Sequence, residues 1–204
     1  MYLMTHSLLS SWQYLLNENK HEAADSDPLA DFLRVLNRQP TETTEAMQKG
    51  IDFENLVTAI VNNTYNSENP KWYTAAEAIA NIVAGGQLQF VAKKKMQVSG
   101  IDILLYGRLD ALKAGEVYDI KFSSGYERGK FIDSTQHPVY LELIPEAAGF
   151  TYLISNGSEV WTERYRRDET ADIRYTISCF FSWLESANLM EVYQQKWQSK
   201  SRQG

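Results

Sequence analysis

The chain has 204 residues, 44% of them hydrophobic and 23% charged, which is enough apolar material for a core and argues against wholesale disorder. With 26 acids against 20 bases the formal charge is −6, so the surface as a whole does not advertise a nucleic-acid binder, and any grip on phosphate has to come from a local basic patch. The single cysteine, Cys179, rules out an internal disulfide, a cysteine-held zinc site and an iron–sulfur cluster.

A reducing cytoplasm is the expected location. The first residues, MYLMTHSLLSSWQYLLNENK, carry no basic stretch ahead of their apolar residues and no small-residue cleavage site, and no run approaches the length of a membrane span. The length suggests one domain over residues 1–204. It comprises a helical part over 1–86, a sheet core over 87–165 and a C-terminal helix over 172–198.

In chain order, Ser7 to Leu16 and Pro28 to Leu36 read as short amphipathic helices, and the whole first part is expected to be helical. A longer helix is predicted after Pro40, with Thr41 as its cap and Glu42 and Glu45 in the first turn. Its apolar positions include Met47, Ile51, Val57, Ile60 and Val61. A further helix over Ala75 to Val83 stops at Gly85-Gly86.

The period then changes from helical to alternating. LQFVAKKKMQV, DILLYGRLDAL and EVYDIKF read as three strands of an antiparallel meander, with Ser99-Gly100 and Ala114-Gly115 as the turns. A polar loop over Ser123 to Ser134 leads to a helix near Pro138 to Ala148. Strands FTYLI and EVWTERYRR follow, then one amphipathic helix from Ile173 to Trp197. The fold class is mixed α/β, with a central sheet flanked by helices and an N-terminal helical elaboration.

Four charged residues interrupt the second and third strands of the meander. A hairpin centred between Ala114 and Gly115 sets Asp110 opposite Asp119 and Arg108 opposite Lys121, all on one face. Leu109, Ala111, Tyr118, Ile120 and Phe122 then build the core on the other face. Two facing carboxylates repel and weaken a hairpin unless something offsets them. A divalent cation does so, since Mg²⁺ is held by one or two carboxylates and keeps several waters. Lys121, projecting from the same face as Asp119, completes a set suited to phosphodiester hydrolysis. The same pattern also suits a surface hairpin whose charged face is solvated, and a one-residue slip in register would separate the groups.

At these residues the sequence resembles the PD-(D/E)XK nuclease superfamily. Asp110 followed on the next strand by Asp119-Ile120-Lys121, within GRLDALKAGEVYDIKFSSG, is similar to the RecB-type and λ-exonuclease-like forms, where a glycine precedes the first acid. GIDFENLV resembles the family's Gly-x-x-x-acid helix motif, with Gly50 and Glu54. STQHPVY carries Gln136 and Tyr140 at the Gln-x-x-x-Tyr spacing, and THSLLSSWQYLL resembles the opening Ser-x-Leu-x-x-Trp helix. The resemblance runs in order from about residue 5 to about 154.

It implies a restriction-endonuclease-like core and a Mg²⁺ or Mn²⁺ cofactor. Asp110, Asp119 and the Ile120 main-chain carbonyl would be metal ligands, Glu54 would contribute directly or through water, and Lys121 would be the catalytic lysine. Gln136 and Tyr140 would position a nucleic-acid strand. The chain departs from the pattern at Leu109, where proline is common, at Leu112 in place of a second acid, and at Phe122 in place of threonine. None of these removes a ligand.

Outside the resemblance, Glu54 borders the apolar stripe of its helix, between Ile51 and Val57. GYERGKF superficially looks like a phosphate-binding loop but has Phe131 where serine or threonine should bind Mg²⁺, and is rejected. His6, His21 and His137 lack metal-ligand spacing, and His137 reads as a solvated loop residue. Arg128 and Lys130, just after the lysine strand, are expected to contact phosphate, and Arg108 is counted with them.

Lys93-Lys94-Lys95 reads as edge protection, while Arg164, Arg166 and Arg167 form a second basic run. Trp12 and Tyr14 are candidates for base stacking. The expected function is a metal-dependent DNA nuclease, exonuclease-like, in recombination, repair or phage replication. A non-cleaving nucleic-acid-binding module and a structure-specific endonuclease are the alternatives. DNA is the expected partner and a membrane is not; a homo-oligomer or a partner protein cannot be read from the chain.

Overall fold

A computed structural model describes residues 1–17, 27–65 and 71–199. Strand β1 (Tyr2–Thr5) passes directly into α1 (His6–Leu16), and α2 (Pro28–Leu36), α3 (Glu45–Val61) and α4 (Tyr73–Val83) follow. The meander is β2 (Gln87–Val98), β3 (Ile101–Lys113) and β4 (Glu116–Phe122). Then come α5 (Gln136–Leu143), β5 (Gly149–Ser155), β6 (Val160–Arg166), α6 (Ile173–Ser186) and α7 (Met190–Lys196). The mixed α/β class expected from the sequence is what the structure has. Among the described residues no helix is long and apolar enough to cross a membrane.

Local chemistry sets most of these boundaries. Asp27 accepts from the amides of Leu29 and Ala30 with Pro28 in the first turn of α2, and Asp172 caps α6 through the Arg174 amide. Ser99-Gly100 and Ala114-Gly115 both turn with positive φ (50° and 76° at each), the left-handed pair that a tight hairpin requires.

The six strands form one mixed sheet in the order β1-β3-β4-β5-β6, with β2 on the other edge of β3. β4 pairs in parallel with β5 along its whole length, and β5 pairs antiparallel with β6. All seven residues of β5 are buried. Phe150, Tyr152 and Ile154 join the larger core with residues of α1, α2, α5, α6 and α7, while Leu153 joins a second core with Phe53 and Val57 of α3 and Ile79 and Val83 of α4. Helices therefore cover this part of the sheet on both faces, as the near-continuous apolar composition of the strand demands.

Several expectations are corrected. The first segment is not all helical: Tyr2–Thr5 is a strand parallel to Ile103–Tyr106, a pairing across about a hundred residues that no local pattern reveals. The cap of α3 is Thr44, whose hydroxyl accepts from the Met47 amide, and not Thr41. The expected last helix is two helices, broken where Asn188 takes φ 56°.

Leu109 and Ala111 do not share a core: Leu109 and its partner Phe90 pack with the larger one, Ala111 and its partner Leu88 with the second. The change falls at Asp110 and Gln89, where Gln89 takes φ 52° and the ladder skips a pair. A left-handed residue there lets one strand pair serve both helical layers.

Candidate active site

The hairpin register is the expected one, with Ala111 opposite Tyr118 and Leu112 opposite Val117, but the β3–β4 ladder ends at Ala111. One edge of β3 is taken by β2. On the other edge β1 lies against Ile103–Tyr106 and β4 against Ala111–Lys113, so Gly107 to Asp110 has no strand beside it. The sheet forks at these four residues, and the acids stand in the fork.

Side chains replace the missing ladder. The Tyr140 hydroxyl, from α5, donates to the Arg108 carbonyl at 3.0 Å. The Asp110 carboxylate accepts from the Ile120 amide at 2.8 Å. α5 comes this close only because position 107 is glycine: a Cβ there would stand 2.8 Å from Leu143 Cδ1 and nearer still to the Tyr140 ring.

Asp119 is buried, at 4% exposure. Its Oδ1 accepts from the Gln136 side-chain amide. The Lys121 ammonium lies 2.8 Å from Oδ2, so both oxygens of this sealed carboxylate have a partner, one of them a cation. Burial, then the charges of Asp119 and Glu54, push the Asp110 carboxyl well above its usual range. Burial would lower the Lys121 ammonium, but Asp119, with Asp110 and Glu54, outweighs it and raises it. Tyr140 is raised by burial and then by the two aspartates, which keeps its proton in place for the bond to Arg108.

Asp110, Asp119, Lys121, Gln136 and Tyr140 are thus brought together, with Glu54 near enough for its charge to act on Asp110. Glu54 accepts from the side-chain amide of Gln89 at 2.6 Å. Arg108 is exposed on the rim. Among the described residues no group of three or more His, Cys, Asp or Glu side chains is gathered closely enough to hold a metal ion. The donor chemistry still fits a hard cation. Two carboxylates share the fork, and burial first, then the charges of Asp119 and Glu54, press Asp110 toward protonation, a cost that a bound cation would offset.

Two neighbours escaped the sequence reading. Gln89, which holds Glu54, is an ordinary strand residue by pattern, and only its left-handed backbone marks it. His6, set aside for lack of ligand spacing, begins α1 at the end of β1 and meets Tyr140 edge-on at 5.8 Å. Burial, then Lys121, lowers it to about 4, so the ring is neutral.

Other expectations change. His137 is not a solvated loop residue: it is buried, stacked 4.1 Å from Tyr165, and lowered to about 4 by burial. Trp12 is buried against Phe180 and Trp183, so its ring serves the core. His21 lies outside the described residues.

The arginine run is structural. Arg164 pairs with Glu116 and Arg166 with Asp168, while Arg167 caps the end of α5 by donating to the carbonyls of Leu141, Ile144 and Ala147. Lys93 and Lys95 are exposed on the edge strand β2 while Lys94 pairs with Glu142, in keeping with edge protection. Arg128 and Lys130 are exposed in the loop after β4, with Lys130 donating to Ser123 at 2.7 Å. A cleft of about 800 Å³, lined by Tyr14, Lys130, Asp133 and Tyr175 among others, borders this loop but is lined by none of Glu54, Asp110 and Asp119.

No protein-family model matches the chain, and no curated protein matches it. Among solved structures the chain is similar to the crystal structure of SSO0001, with a TM-score of 0.54 and 11% identity over 91% of this chain and 77% of that one. At that identity the likeness speaks to fold alone: the arrangement of strands and helices described above is shared with a protein of known structure.

Proposed function

We propose that the chain is a divalent-metal-dependent DNA nuclease with a restriction-endonuclease-like core, of the RecB-type branch of the PD-(D/E)XK superfamily, acting as an exonuclease in recombination, repair or phage replication. The observation that carries this reading is the fork in the sheet, where Asp110, Asp119 and Lys121 meet although buried like charges are costly without a purpose. Asp110, Asp119 and the Ile120 carbonyl, with Glu54 directly or through water, would hold Mg²⁺ or Mn²⁺. Such an ion polarises a phosphoryl oxygen and makes water a better nucleophile near neutral pH.

The chain's own groups supply the rest. Lys121, kept protonated by the surrounding acids, neutralises charge that develops on the phosphate and orients the attacking water. Gln136 fixes the rotamer of Asp119, and Tyr140 ties α5 to β3, so the acids keep their places as substrate arrives. Arg108 on the rim and Arg128 and Lys130 in the adjoining loop offer cations to the backbone phosphates. The leaving group is the 3′-oxygen, following the resemblance.

The test is to incubate the protein with end-labelled linear and circular DNA in Mg²⁺, Mn²⁺ or EDTA, beside Asp119→Ala. Loss of linear DNA alone marks an exonuclease, and nicked circles mark an endonuclease. Binding without cleavage would establish a non-cleaving module in its place. Full activity in Asp119→Ala would end the mechanism.

A further inference from the structure

Glu163 is a carboxylate in an unexpected place. It stands on β6 opposite Tyr152 at 7% exposure, in a segment that reads as a polar strand. Four donors saturate it. Oε2 accepts from the Tyr126 hydroxyl at 2.6 Å and the Gly129 amide at 3.1 Å; Oε1 accepts from the Phe131 amide at 3.2 Å and from the Tyr165 hydroxyl. A carboxylate offers about four lone-pair sites, so all are in use.

Three of the four donors belong to the loop after the lysine strand. With Gly129 at φ 86°, its Gly129 and Phe131 amides turn toward one carboxylate, one to each oxygen, the concave arrangement that ordinarily receives an anion. Here the anion is the chain's own. Burial works against the Glu163 charge, yet the two tyrosine hydroxyls and two amides outweigh it and hold the carboxyl below its usual range.

The loop is pinned elsewhere too. Phe131 stacks on Tyr152 at 4.2 Å, Tyr126 lies 5.8 Å from Trp161, and Lys130 donates to Ser123, two residues past Lys121. Arg128 remains exposed, and so does Lys130 although its ammonium reaches back to Ser123.

We propose that Glu163 is a positioning residue: by filling the anion nest of the 126–131 loop it holds Arg128 and Lys130 against the backbone phosphate of a strand lying beside Lys121. The ligand in this inference rests on the nuclease reading; the holding of the loop does not. A phosphate cannot enter the nest while Glu163 occupies it, so the loop's grip lies in its two side chains. A disordered loop would have to be ordered at each encounter, which weakens binding without touching the acids.

The test uses the full chain with Glu163→Gln, and Tyr126→Phe as a milder variant that removes a single donor. Glutamine presents an NH₂ to the loop's donors, so the nest opens. Trypsin is expected to cut after Arg128 or Lys130 at least about tenfold faster than in the native protein, since proteolysis follows local opening. In EDTA, affinity for a fluorescent DNA oligonucleotide is expected to fall roughly tenfold, with the salt slope reduced by about 1.8 for two lost duplex phosphate contacts.

With Mg²⁺ the loss falls on KM more than on kcat. Glu163→Gln added to Arg128→Ala/Lys130→Ala should weaken binding no further. Native trypsin resistance in Glu163→Gln overturns the proposal, and so does a loosened loop with native DNA affinity and salt slope. Weakened binding by a protein that never cleaves DNA would sink the nuclease reading and leave this one standing.

Discussion

Gly107→Ala tests the fork directly. The added methyl would sit 2.8 Å from Leu143 Cδ1 and inside the contact distance of the Tyr140 ring. Neither ring nor strand can yield freely: Tyr140 is 5% exposed, its hydroxyl is bonded to the Arg108 carbonyl, and its ring stacks on Phe150 at 5.8 Å. Relief therefore comes from moving α5 outward. Overpacking of this kind costs about 1–3 kcal/mol. For a chain of this size each kcal/mol lowers Tm by about 2–4 °C, so the melting temperature should fall by about 2–12 °C.

α5 also carries Gln136, the donor to Asp119, and a displacement near 1 Å at a reacting centre costs roughly a hundredfold in rate. Melting curves and Mg²⁺-dependent cleavage of end-labelled DNA are the two readouts. Tyr140→Phe is the control, expected to lose only about 0.5–1.5 kcal/mol for the hydroxyl's bond. A Gly107→Ala protein that melts within about 1 °C of the native one and cleaves at the native rate would refute the close approach, and with it the reason glycine stands there.

The raised carboxyl of Asp110 fixes a pH dependence. Its folded pKa lies above the ordinary 3.8, so protonation stabilises the fold fully below that value, and the contribution is lost as pH rises through the folded pKa. In EDTA, Asp110→Asn should therefore be more stable than the native protein at pH 7–8, with the difference shrinking toward pH 4; a difference constant across pH would contradict the repulsion. Saturating Mg²⁺ should reverse the order. At a hundred times Kd it adds about 2.7 kcal/mol to the native protein, about 5–11 °C in Tm, and nothing to the variant. At the hairpin turn, Ala114 holds φ 50°, which costs alanine roughly 1–2 kcal/mol and asparagine about 1 kcal/mol less, because its short polar side chain hydrogen-bonds locally. Ala114→Asn should raise Tm by about 2–4 °C, and a fall would show that the turn is not strained.

The part of the site that could be read from the sequence is the part that violates a local rule. Arg108, Asp110, Asp119 and Lys121 stand out because apolar strands have a period of two and charges inside them are expensive; the Ala114-Gly115 turn then fixes their register from within twenty residues. What supports them breaks no local rule and comes from far away. β1 is four residues long, too short for a period to declare itself, yet by taking Ile103–Tyr106 on the edge of β3 that β4 also uses it sets one side of the fork whose other side is the end of the ladder at Ala111. Gln89 reaches Glu54 from 35 positions away, and His6 meets Tyr140 from the end of β1.

Glu163 looked like any polar strand residue because its partners lie 32 to 37 positions earlier, apart from Tyr165. The division follows from energetics. A costly residue is visible where it stands, because its cost is local, whereas the groups that offset the cost need only be near in space. Hence the sequence could name the two acids and the lysine, but the carboxylate that orders the neighbouring loop emerged only once the strands were laid side by side.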